Sequence, residues 1–370
     1  MRVLVLNGGS STVKAAIAEV SHGSVRIVTR RTAEQEGAGE PERLFEKAIE
    51  SVASDSARID AVGHRVVHGG TRFRGAVRID DAVEAAIESL SPLAPLHNPV
   101  ALAGIRAARA RLGDLPMVAV FDTAFHHGRP IVSRRYALPD DVTEELGLWR
   151  YGFHGIAHAS LVDGVAALEA TTAARVTAVT LQLGRGCSAC AVRGGASTET
   201  SMGFTPLEGL VMGTRSGDVD PGLVLYLLRR GRSVDDVEDL LEKRSGLAGV
   251  GGSADMRELL RVEERGDRRA ALAIAIFVRR IVATVGAYLT LLEGEGSLVF
   301  GGGIGENSPA IRERVCAGLA AWNVWLDPAR NAAKAPGQIS ADGSRPVYVV
   351  GTDEETIIAR AVQEVLENAK

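Results

Sequence analysis

The sequence predicts an α/β protein of two domains, and three features of its 370 residues carry that prediction. Apolar, strand-like runs alternate with segments of helical periodicity. A strand, a glycine-rich turn and a returning strand occur twice, at Val3–Lys14 and at Val179–Val192. The length also allows two separate hydrophobic cores. We therefore expect two similar sheet domains that face a shared ligand.

In the first half, apolar patterning predicts strands on both sides of the first turn within residues 1–30, and at Asp60–Val67 and Met117–Phe121. Helical spacing predicts helices over residues 40–55, 81–91 and 98–112. The segment from His126 to Trp149, which contains two prolines, is expected to be irregular and to end near the domain boundary. The first domain then comprises residues 1–148 with a returning C-terminal helix over 355–370, and the second comprises residues 149–354.

In the second half, helices are expected over residues 221–231, 234–243, 266–292 and 354–368, and strands at Ser297–Phe300 and Pro346–Val350. The longest apolar region, Ala270–Leu292, is interrupted by Arg279 and Arg280. Its uncharged pieces are too short to cross a bilayer, so it predicts a buried helix.

Composition limits the kinds of molecule that the protein is expected to bind. The net charge of −4 gives no electrostatic basis for nucleic-acid binding, and aromatic residues make up only 4% of the chain. The N-terminus enters a strand directly, without the features of a secretory signal. We expect a cytoplasmic protein with neither nucleic-acid nor membrane partners.

The three cysteines do not form a disulfide framework, which fits a reducing compartment. Cys187 and Cys190 form a C-x-x-C pattern, which has two interpretations: a redox pair or half of a zinc site, or two small residues on a strand. Because the sequence has no second cysteine pair to complete zinc ligation, we favour the strand.

Two turns have the composition of a phosphate-binding backbone. The first contains Asn7, Ser10, Thr12 and Lys14, where glycine lets N–H groups approach an anion and Asn7 offers an oxygen to a metal or its water shell. The second, Gly301–Ser308, follows an apolar strand and precedes a helix. A plain polar hairpin and a helix cap are the alternatives, but four glycines in five residues favour nucleotide contact at the second turn.

Acid and base groups follow several predicted strands. Asp122 comes directly after the strand Met117–Phe121, the position at which open α/β sheets place catalytic groups. Arg65 and Arg215 offer planar forks for carboxylate or phosphate. The remaining candidates are His97, His154 and His158. A turn aspartate, surface ion pairs and core histidines are the corresponding structural alternatives.

These residues carry a specific resemblance to the acetate, propionate and butyrate kinase family, within the superfamily of sugar kinases and actin. The resemblance covers nearly the whole chain in order, and its longest distinctive run is Ser201–Asp220. The other matching segments are Asn7–Lys14, His64–Gly70, Ala94–Pro99, Phe121–His126, Arg150–His158, Gly303–Ser308 and Thr352–Glu355.

The resemblance implies two ribonuclease-H-like domains around an interdomain cleft, and a homodimer. The implied reaction is reversible, direct in-line transfer of a phosphoryl group from ATP to acetate, giving acetyl phosphate and ADP. Because the attacking carboxylate oxygen is already anionic, it needs no general base. Asp122 is therefore expected to orient an arginine or the water shell of the metal.

The resemblance also assigns roles to matched residues. The catalytic group comprises Asp122, His154 and Arg215, of which His154 and Arg215 would stabilise the transition state. Mg²⁺ or Mn²⁺ would be held by Asn7 and Glu354. The acid would be bound by Arg65 and by an apolar pocket for its methyl group, made of Val67, Leu96, Phe153 and Pro206. The nucleotide would contact Lys14, Gly184, Arg185, Gly186, Asp255, Met256, Arg257, Gly303, Ile304, Gly305, Glu306 and Asn307.

The second hairpin departs from the family pattern His-Leu-Gly-Asn-Gly, because Gln182 replaces the histidine and Arg185 the asparagine. Three interpretations follow: the same phosphates are bound with redistributed charge, the phosphoryl donor differs, or activity is reduced. Retention of the other matched groups favours the first interpretation.

Three alternative functions remain open, and a fourth is disfavoured. One is a kinase for propionate or butyrate, since a methylene in an apolar pocket is worth only about 1–3 kcal/mol. A second is a variant with a different phosphoryl donor. A third, of another class, is a weakly catalytic nucleotide-binding regulator. A sugar kinase is disfavoured, because it would need a base and a polar sugar pocket.

Overall fold

The computed structural model describes residues 1–9, 12–21, 23–34, 40–53, 58–333 and 335–368. Ser10, one of the four polar residues of the first predicted turn, lies outside these ranges. The chain forms two compact units. Unit 1 comprises Met1–His127, Phe153–Ser160 and Asp353–Lys370, and unit 2 comprises Gly128–Gly152 and Leu161–Thr352. These units assign residues 128–148, 153–160 and 353–354 differently from the division expected from the sequence, which stays a prediction.

Unit 1 contains a six-stranded mixed sheet. Its strands are β1 (Arg2–Gly8), β2 (Thr12–Ser21), β3 (Ser24–Glu34), β4 (Ala61–Val66), β5 (Val77–Arg78) and β6 (Met117–Phe121). They lie in the order β3-β2-β1-β4-β6-β5. Strands β1, β4 and β6 are mutually parallel, whereas β2, β3 and β5 each run antiparallel to a neighbour.

Unit 2 repeats this topology. Its strands are β7 (Ala178–Leu183), β8 (Cys187–Arg193), β9 (Ala196–Thr200), β10 (Ser297–Gly301), β11 (Gly337–Gln338) and β12 (Val347–Val349). Their order, β9-β8-β7-β10-β12-β11, matches that of unit 1 strand for strand, with the same parallel and antiparallel pairs. The two glycine-rich hairpins seen in the sequence are therefore β1–β2 and β7–β8, the equivalent hairpins of two like sheets.

Fifteen α-helices occur in the described residues. Those up to the second sheet are α1 (Pro41–Ala53), α2 (Asp81–Ser89), α3 (Asn98–Leu112), α4 (Ile131–Arg134), α5 (Asp140–Leu146) and α6 (Gly155–Leu168). The others are α7 (Pro221–Arg229), α8 (Val234–Lys243), α9 (Gly246–Gly251), α10 (Met256–Glu263), α11 (Arg268–Leu291), α12 (Gly302–Asn307), α13 (Pro309–Ala317), α14 (Pro328–Ala332) and α15 (Glu354–Glu367). Short 3₁₀ turns lie at Ser91–Leu93, Ala124–His126, Ala173–Arg175 and Ala320–Trp322.

The sheet of unit 1 is covered on both faces, and strand alternation decides which residue faces which layer. Leu4 and Leu6 of β1 belong to the core formed with α1, α2 and α3. Val3 and Val5 belong to the opposite core, formed with Ile358 and other residues of α15. Residues in phase with Val3 and Val5 therefore point to the α15 side of the sheet, a fact that positions the candidate site.

Helix α11 is long and apolar enough to cross a membrane by length and composition. Its buried residues recur at helical spacing along one face, among them Ile274, Phe277 and Ile281, and this face packs within unit 2 on α9, α10, α13 and β8. Arg279 is exposed and Arg280 is partly exposed. The contacts are those of a core helix in an α/β layer.

Two local predictions were wrong, and one helix was not predicted. The segment 126–149, expected to be irregular, contains α4 and α5. Helix α6 had no predicted counterpart, because most of its residues are apolar or small and it lacks the one-sided stripe that identifies a helix in a sequence. The glycines that were expected to form a turn before a helix are themselves helical, since Gly302, Gly303 and Gly305 lie in α12.

Candidate active site

Three of the predicted site residues stand at the ends of adjacent parallel strands in unit 1. Asn7 lies near the end of β1, Arg65 near the end of β4, and Asp122 directly after β6. Each is in phase with the strand residues that face α15. The carboxyl ends of parallel strands meet at one edge of a sheet, so the topology brings these three side chains together.

Arg65 and Asp122 form a forked ion pair. Arg65 Nη2 lies 2.6 Å from Asp122 Oδ2, and Arg65 Nε lies 3.2 Å from both carboxylate oxygens. Burial raises the pKa of Asp122, and the Arg65 guanidinium opposes that rise. Burial tends to lower the pKa of Arg65, but the nearby carboxylates of Asp122 and Glu354 outweigh it and raise that pKa. The pair is a fixed donor fork rather than a proton carrier.

Asn7 connects this pair to the start of α15. Its Oδ1 accepts a hydrogen bond from Arg65 Nη1 at 3.2 Å, and its Nδ2 donates to Glu354 Oε2 at 2.6 Å and to Glu355 Oε1 at 3.4 Å. Burial alone would raise the pKa of Glu354, but Arg65, the Asn7 hydrogen bond, His154 and Lys14 together lower it. Glu354 is therefore ionised at neutral pH.

The donor set fits a hard divalent cation. Glu354 supplies an ionised carboxylate, and Asn7 Oδ1 has a second lone pair beyond the one that accepts from Arg65. Within the part of the chain that the structure describes, no group of three His, Cys, Asp or Glu side chains gathers as for a protein-only metal cage. Mg²⁺ is commonly held in this way, by one or two protein oxygens with phosphate and water completing the shell.

Lys14 lies next to Asn7 in the sheet, since the two residues are register partners on β2 and β1. Its side chain is exposed, and its charge contributes to lowering the pKa of Glu354. A cation on this side of the hairpin suits an anionic ligand.

His154 adopts a left-handed backbone conformation, with φ of 58°, immediately before α6. Such a conformation is uncommon for a non-glycine residue and is found where the surrounding structure enforces it. The enforcing contact is at Gly155, whose N–H donates to Asp122 O at 2.9 Å. A Cβ at Gly155 would lie 2.1 Å from that oxygen, so only glycine fits. This close approach holds His154 beside the Arg65–Asp122 pair.

The other candidate histidines have different positions. His158 is fully buried in α6, its ring centroid lies 5.7 Å from that of His126, and burial lowers its pKa. It is a core residue, as the structural alternative allowed. His97 is only partly buried and stands at the N-terminus of α3.

The predicted apolar residues of unit 1 differ in exposure. Val67 and Phe153 are buried, and the Phe153 ring makes an edge contact with His68 at a centroid distance of 5.5 Å. Leu96 is 50% exposed. A pocket shared by Leu96, Val67 and Phe153 stays a prediction.

The sequence analysis missed Asn98, a buried amide that shapes the segment containing Val67. Asn98 Oδ1 accepts from His68 N and Asn98 Nδ2 donates to His68 O, both at 3.1 Å. This pair of bonds replaces a strand ladder just after β4. The sequence did contain a signal for this role, because Asn98 is a polar residue directly before Pro99 at the start of a predicted helix.

In unit 2, a cavity of about 660 Å³ is lined by eight of the predicted nucleotide-contacting residues. They are Gly184, Arg185, Asp255, Met256, Arg257, Gly303, Ile304 and Asn307. Leu260 and the segment 308–310 also line it and were not predicted. Gly186, Gly305 and Glu306 are not among the lining residues. The size and the apolar lining with a few polar groups are typical of a small-ligand site.

The two departures in the second hairpin have distinct surroundings. Gln182 Oε1 accepts a hydrogen bond from Thr352 Oγ1 at 2.9 Å, and that hydroxyl in turn accepts from Gly302 N at 3.0 Å. Gln182 is thus linked to the start of α12 through the hydroxyl group of Thr352. Arg185, by contrast, is exposed in the cavity wall.

Arg185 differs from the neighbouring cation of the cavity. Arg257 is paired with Asp255, with 2.6 Å between Arg257 Nη2 and Asp255 Oδ2, and this hydrogen bond helps lower the pKa of Asp255 to about 2. No carboxylate lies within 4.0 Å of Arg185 in the described ranges. Its guanidinium is therefore available to an anionic ligand.

Arg215 lies in the loop of the longest distinctive run. Its Nη1 donates to Pro206 O at 3.2 Å, so the structure brings these two predicted residues together. The loop is closed by Gly209 N, which donates to Asp218 Oδ1 at 2.7 Å. Burial lowers the pKa of Arg215, Glu242 opposes this effect, and the charge of Arg185 adds to it. The charges of Arg185 and Arg215 therefore act on each other within unit 2.

Cys187 and Cys190 do not form a redox pair. Both are buried on β8, where Cys187 Sγ donates to Gly184 O and Cys190 Sγ contacts Ser197 Oγ. Residues three apart on a strand are separated by roughly 10 Å, too far for a disulfide. Burial raises both thiol pKa values to about 12, so the thiols are unreactive.

Comparison with known proteins gives one consistent family. The chain matches the Acetokinase family over residues 29–360. It is 45% identical to an acetate kinase of Arthrobacter sp. (strain FB24), with 100% of each chain covered. Among solved structures, it is similar to the acetate kinase of Porphyromonas gingivalis, with a TM-score of 0.88, 36% identity and 99% of each chain covered. A propionate kinase from Francisella tularensis gives a TM-score of 0.89 at 36% identity, covering 98% of this chain and 99% of that one. The predicted α/β fold class is confirmed.

Proposed function

This chain belongs to the acetokinase family, and we propose that it transfers the γ-phosphoryl group of ATP directly and reversibly to acetate, giving acetyl phosphate and ADP. The observation that carries the proposal is the cluster of Asn7, Arg65, Asp122 and Glu354 at the strand ends of unit 1. It combines a fixed cation for a carboxylate with oxygen ligands for a divalent metal. The relatives named as acetate kinases support the same activity.

The proposed role of Arg65 is to hold the acid. Acetate is anionic at neutral pH, so its oxygen can attack phosphorus without losing a proton. Asp122 accepts from Nε and Nη2 of Arg65, which fixes the plane of the guanidinium. Asp122 would act by positioning that fork, and it has no proton to remove from the substrate. Holding two anions in line is the principal task of such a site.

The proposed metal ligands are Asn7 and Glu354, for Mg²⁺ or Mn²⁺. When bound, the cation neutralises charge on the phosphate oxygens. Glu355, which also accepts from Asn7, would keep the amide oriented. Lys14 adds positive charge on the same hairpin.

The proposed nucleotide site is the cavity of unit 2. Asp255, Met256 and Arg257 would line the adenosine end, whereas Arg185 and Arg215 would contact phosphate. Charge spreads over three equatorial oxygens in phosphoryl transfer, and Arg215 and His154 are suited to neutralise it.

Propionate is the second candidate acid. The chain is as similar to a solved propionate kinase as to a solved acetate kinase. The residues proposed to contact the methyl group, Val67, Leu96, Phe153 and Pro206, include the half-exposed Leu96.

We also propose that the protein is a cytoplasmic homodimer. Helix α7 has no buried residue, although it carries Leu223, Leu225 and Tyr226, each of which is exposed. A second copy that covers this face would remove it from water. The three cysteines are free, as in a reducing compartment.

The test is trapping of the acyl phosphate with hydroxylamine, with acetate, propionate and butyrate each combined with ATP, GTP and pyrophosphate. Acetate with ATP is expected to give the largest kcat/KM. A larger value with propionate or butyrate would reassign the acid, and a signal with another donor alone would reassign the donor. If no pair of acid and donor gives an acyl phosphate while ADP still binds, the result would contradict the proposed enzyme activity and favour a nucleotide-binding regulator.

A further inference from the structure

Arg312 of α13 is a buried cation that the proposed chemistry does not use. Its side chain is among the largest that are fully buried, and the residue is 1% exposed. No carboxylate lies within 4.0 Å of it in the part of the chain that the structure describes. Burying a charge is costly unless hydrogen bonds compensate for lost water.

The compensation comes from four acceptors. Arg312 Nη1 donates to Gly305 O and to Glu306 O, both at 2.8 Å. Its Nε donates to Asn331 Oδ1 at 2.8 Å, and its Nη2 donates to Asn331 O at 2.6 Å. Asn331 Nδ2 in turn donates to Pro309 O at 3.1 Å. The guanidinium therefore fixes the chain around the junction of α12 and α13.

Helix α12 needs such a partner. It has only six residues, far fewer than an isolated helix needs to be stable in water. The last carbonyls of a helix lack partners within it, and they carry the negative end of its dipole. A buried guanidinium on Gly305 O and Glu306 O meets both requirements.

A second anchor of α12 is Thr352, which contacts both ends of the helix. Thr352 Oγ1 accepts from Gly302 N at 3.0 Å, and Thr352 N donates to Glu306 Oε1 at 3.1 Å. Gly303, Ile304 and Asn307 of the same short helix line the 660 Å³ cavity. A movement at either anchor would shift the cavity wall.

We propose that Arg312 is a positioning residue that holds α12 in its nucleotide-binding conformation. The inference rests on the proposed function, in which this cavity binds the nucleotide. Arg312 is itself buried and is not one of the lining residues, so it acts through α12. A plain core arginine would stabilise the fold without a selective effect on nucleotide affinity.

The experiment compares Arg312→Met and Arg312→Lys with Arg314→Met. Arg314 lies on the same helix but pairs on the surface with Glu263, so it is the matched control. ADP affinity is measured by calorimetry, the KM values for ATP and acetate by initial rates, and amide exchange of residues 303–307 by mass spectrometry. Arg312→Met is expected to weaken ADP binding by about 10-fold, to raise the KM for ATP and to leave the KM for acetate unchanged. Amide exchange in 303–307 should accelerate, and Arg312→Lys should restore part of the affinity.

A lowered Tm with ADP affinity within twofold of wild type and unchanged exchange at 303–307 would overturn the proposal. If Arg312→Met does not fold, Arg312→Lys and Asn331→Ala decide by the same measurements, since each removes part of the same network. Failure of the wild-type protein to bind ADP would instead refute the proposed nucleotide site. The two failures are therefore distinguishable.

Discussion

Arg65 Nη2 and Asp122 Oδ2 lie 2.6 Å apart, and the two residues stand at the ends of adjacent parallel strands. Val66 of β4 and Phe121 of β6 are register partners. Arg65 directly precedes Val66 and Asp122 directly follows Phe121, so the two residues lie at the same edge of the sheet. The ion pair thus follows from sheet topology, and it fixes the orientation of the guanidinium that is proposed to hold the acid.

Asp122→Asn tests whether this pair positions the acid. The change keeps the shape but removes the charge that orients Arg65, so kcat for acetate should fall by about 100-fold, with a higher KM for acetate. Initial rates at saturating ATP measure both. Asp80→Asn, at the exposed N-cap of α2, is the control. Turnover within threefold of wild type would exclude the positioning role.

Arg215→Ala tests the proposed stabilisation of the transferring phosphoryl group. We expect kcat to fall by about 1,000-fold, whereas ADP affinity changes far less, because the charge matters most in the transition state. Calorimetry with ADP and initial rates separate the two effects. Arg244→Ala, an exposed arginine paired with Asp239, is the control. An intact kcat, or a parallel loss of ADP binding, would contradict the assignment.

The fold class, both hairpins and the strand-end cluster were predictable from the sequence. Apolar runs identified β1, β4 and β6, and strand ends in α/β sheets are where polar side chains gather. The family resemblance is confirmed by the match over residues 29–360. The individual roles of the site residues stay predictions, which the variants described here address.

Other features could not be predicted because they depend on contacts distant in sequence. The left-handed conformation of His154 results from Gly155 packing on Asp122 O. The buried Arg312 binds carbonyls, an interaction that leaves no pattern in the sequence. Helix α6 is too uniformly apolar to show a period.

Glu354→Gln tests the metal site. Glutamine can still accept from Asn7, but it lacks the charge that attracts a cation. The Mg²⁺ concentration for half-maximal rate should rise by about 10-fold, and excess Mg²⁺ should restore part of kcat. Titration of Mg²⁺ at fixed ATP measures this. Glu364→Gln, exposed on the same helix, should behave as wild type; an unchanged Mg²⁺ requirement in Glu354→Gln would exclude Glu354 as a ligand.

His64 predicts a pH dependence of stability. It is buried on β4, and its Nε2 has no hydrogen-bond partner among the residues that the structure describes; burial and then Arg109 lower its pKa to about 3. Since the folded state disfavours the proton, the stabilising effect is complete above the unfolded pKa of 6.5 and declines as the pH falls below it. His64→Leu should reduce the slope of the unfolding free energy between pH 6 and pH 4 by about one proton. Urea unfolding over this range measures the slope, and an unchanged slope would show that His64 takes up no proton on unfolding.

The double variant Gln182→His with Arg185→Asn restores the family pattern of the second hairpin. Because Arg185 is free to contact phosphate, we expect an intact fold, with either a higher acetate turnover or a shifted preference among ATP, GTP and pyrophosphate. Circular dichroism checks the fold, and the hydroxylamine assay measures acetate turnover with each donor. If the variant and the wild type have the same rate with each donor, the two departures are neutral.

The most direct test of the account is the reverse reaction, followed by luciferase detection of ATP. With Mg²⁺, ADP and acetyl phosphate, the wild-type protein should form ATP at a rate that depends on all three, and Arg215→Ala should reduce it by about 1,000-fold. No ATP above the background without enzyme, from folded protein that binds ADP, would contradict the assignment as an acetate kinase.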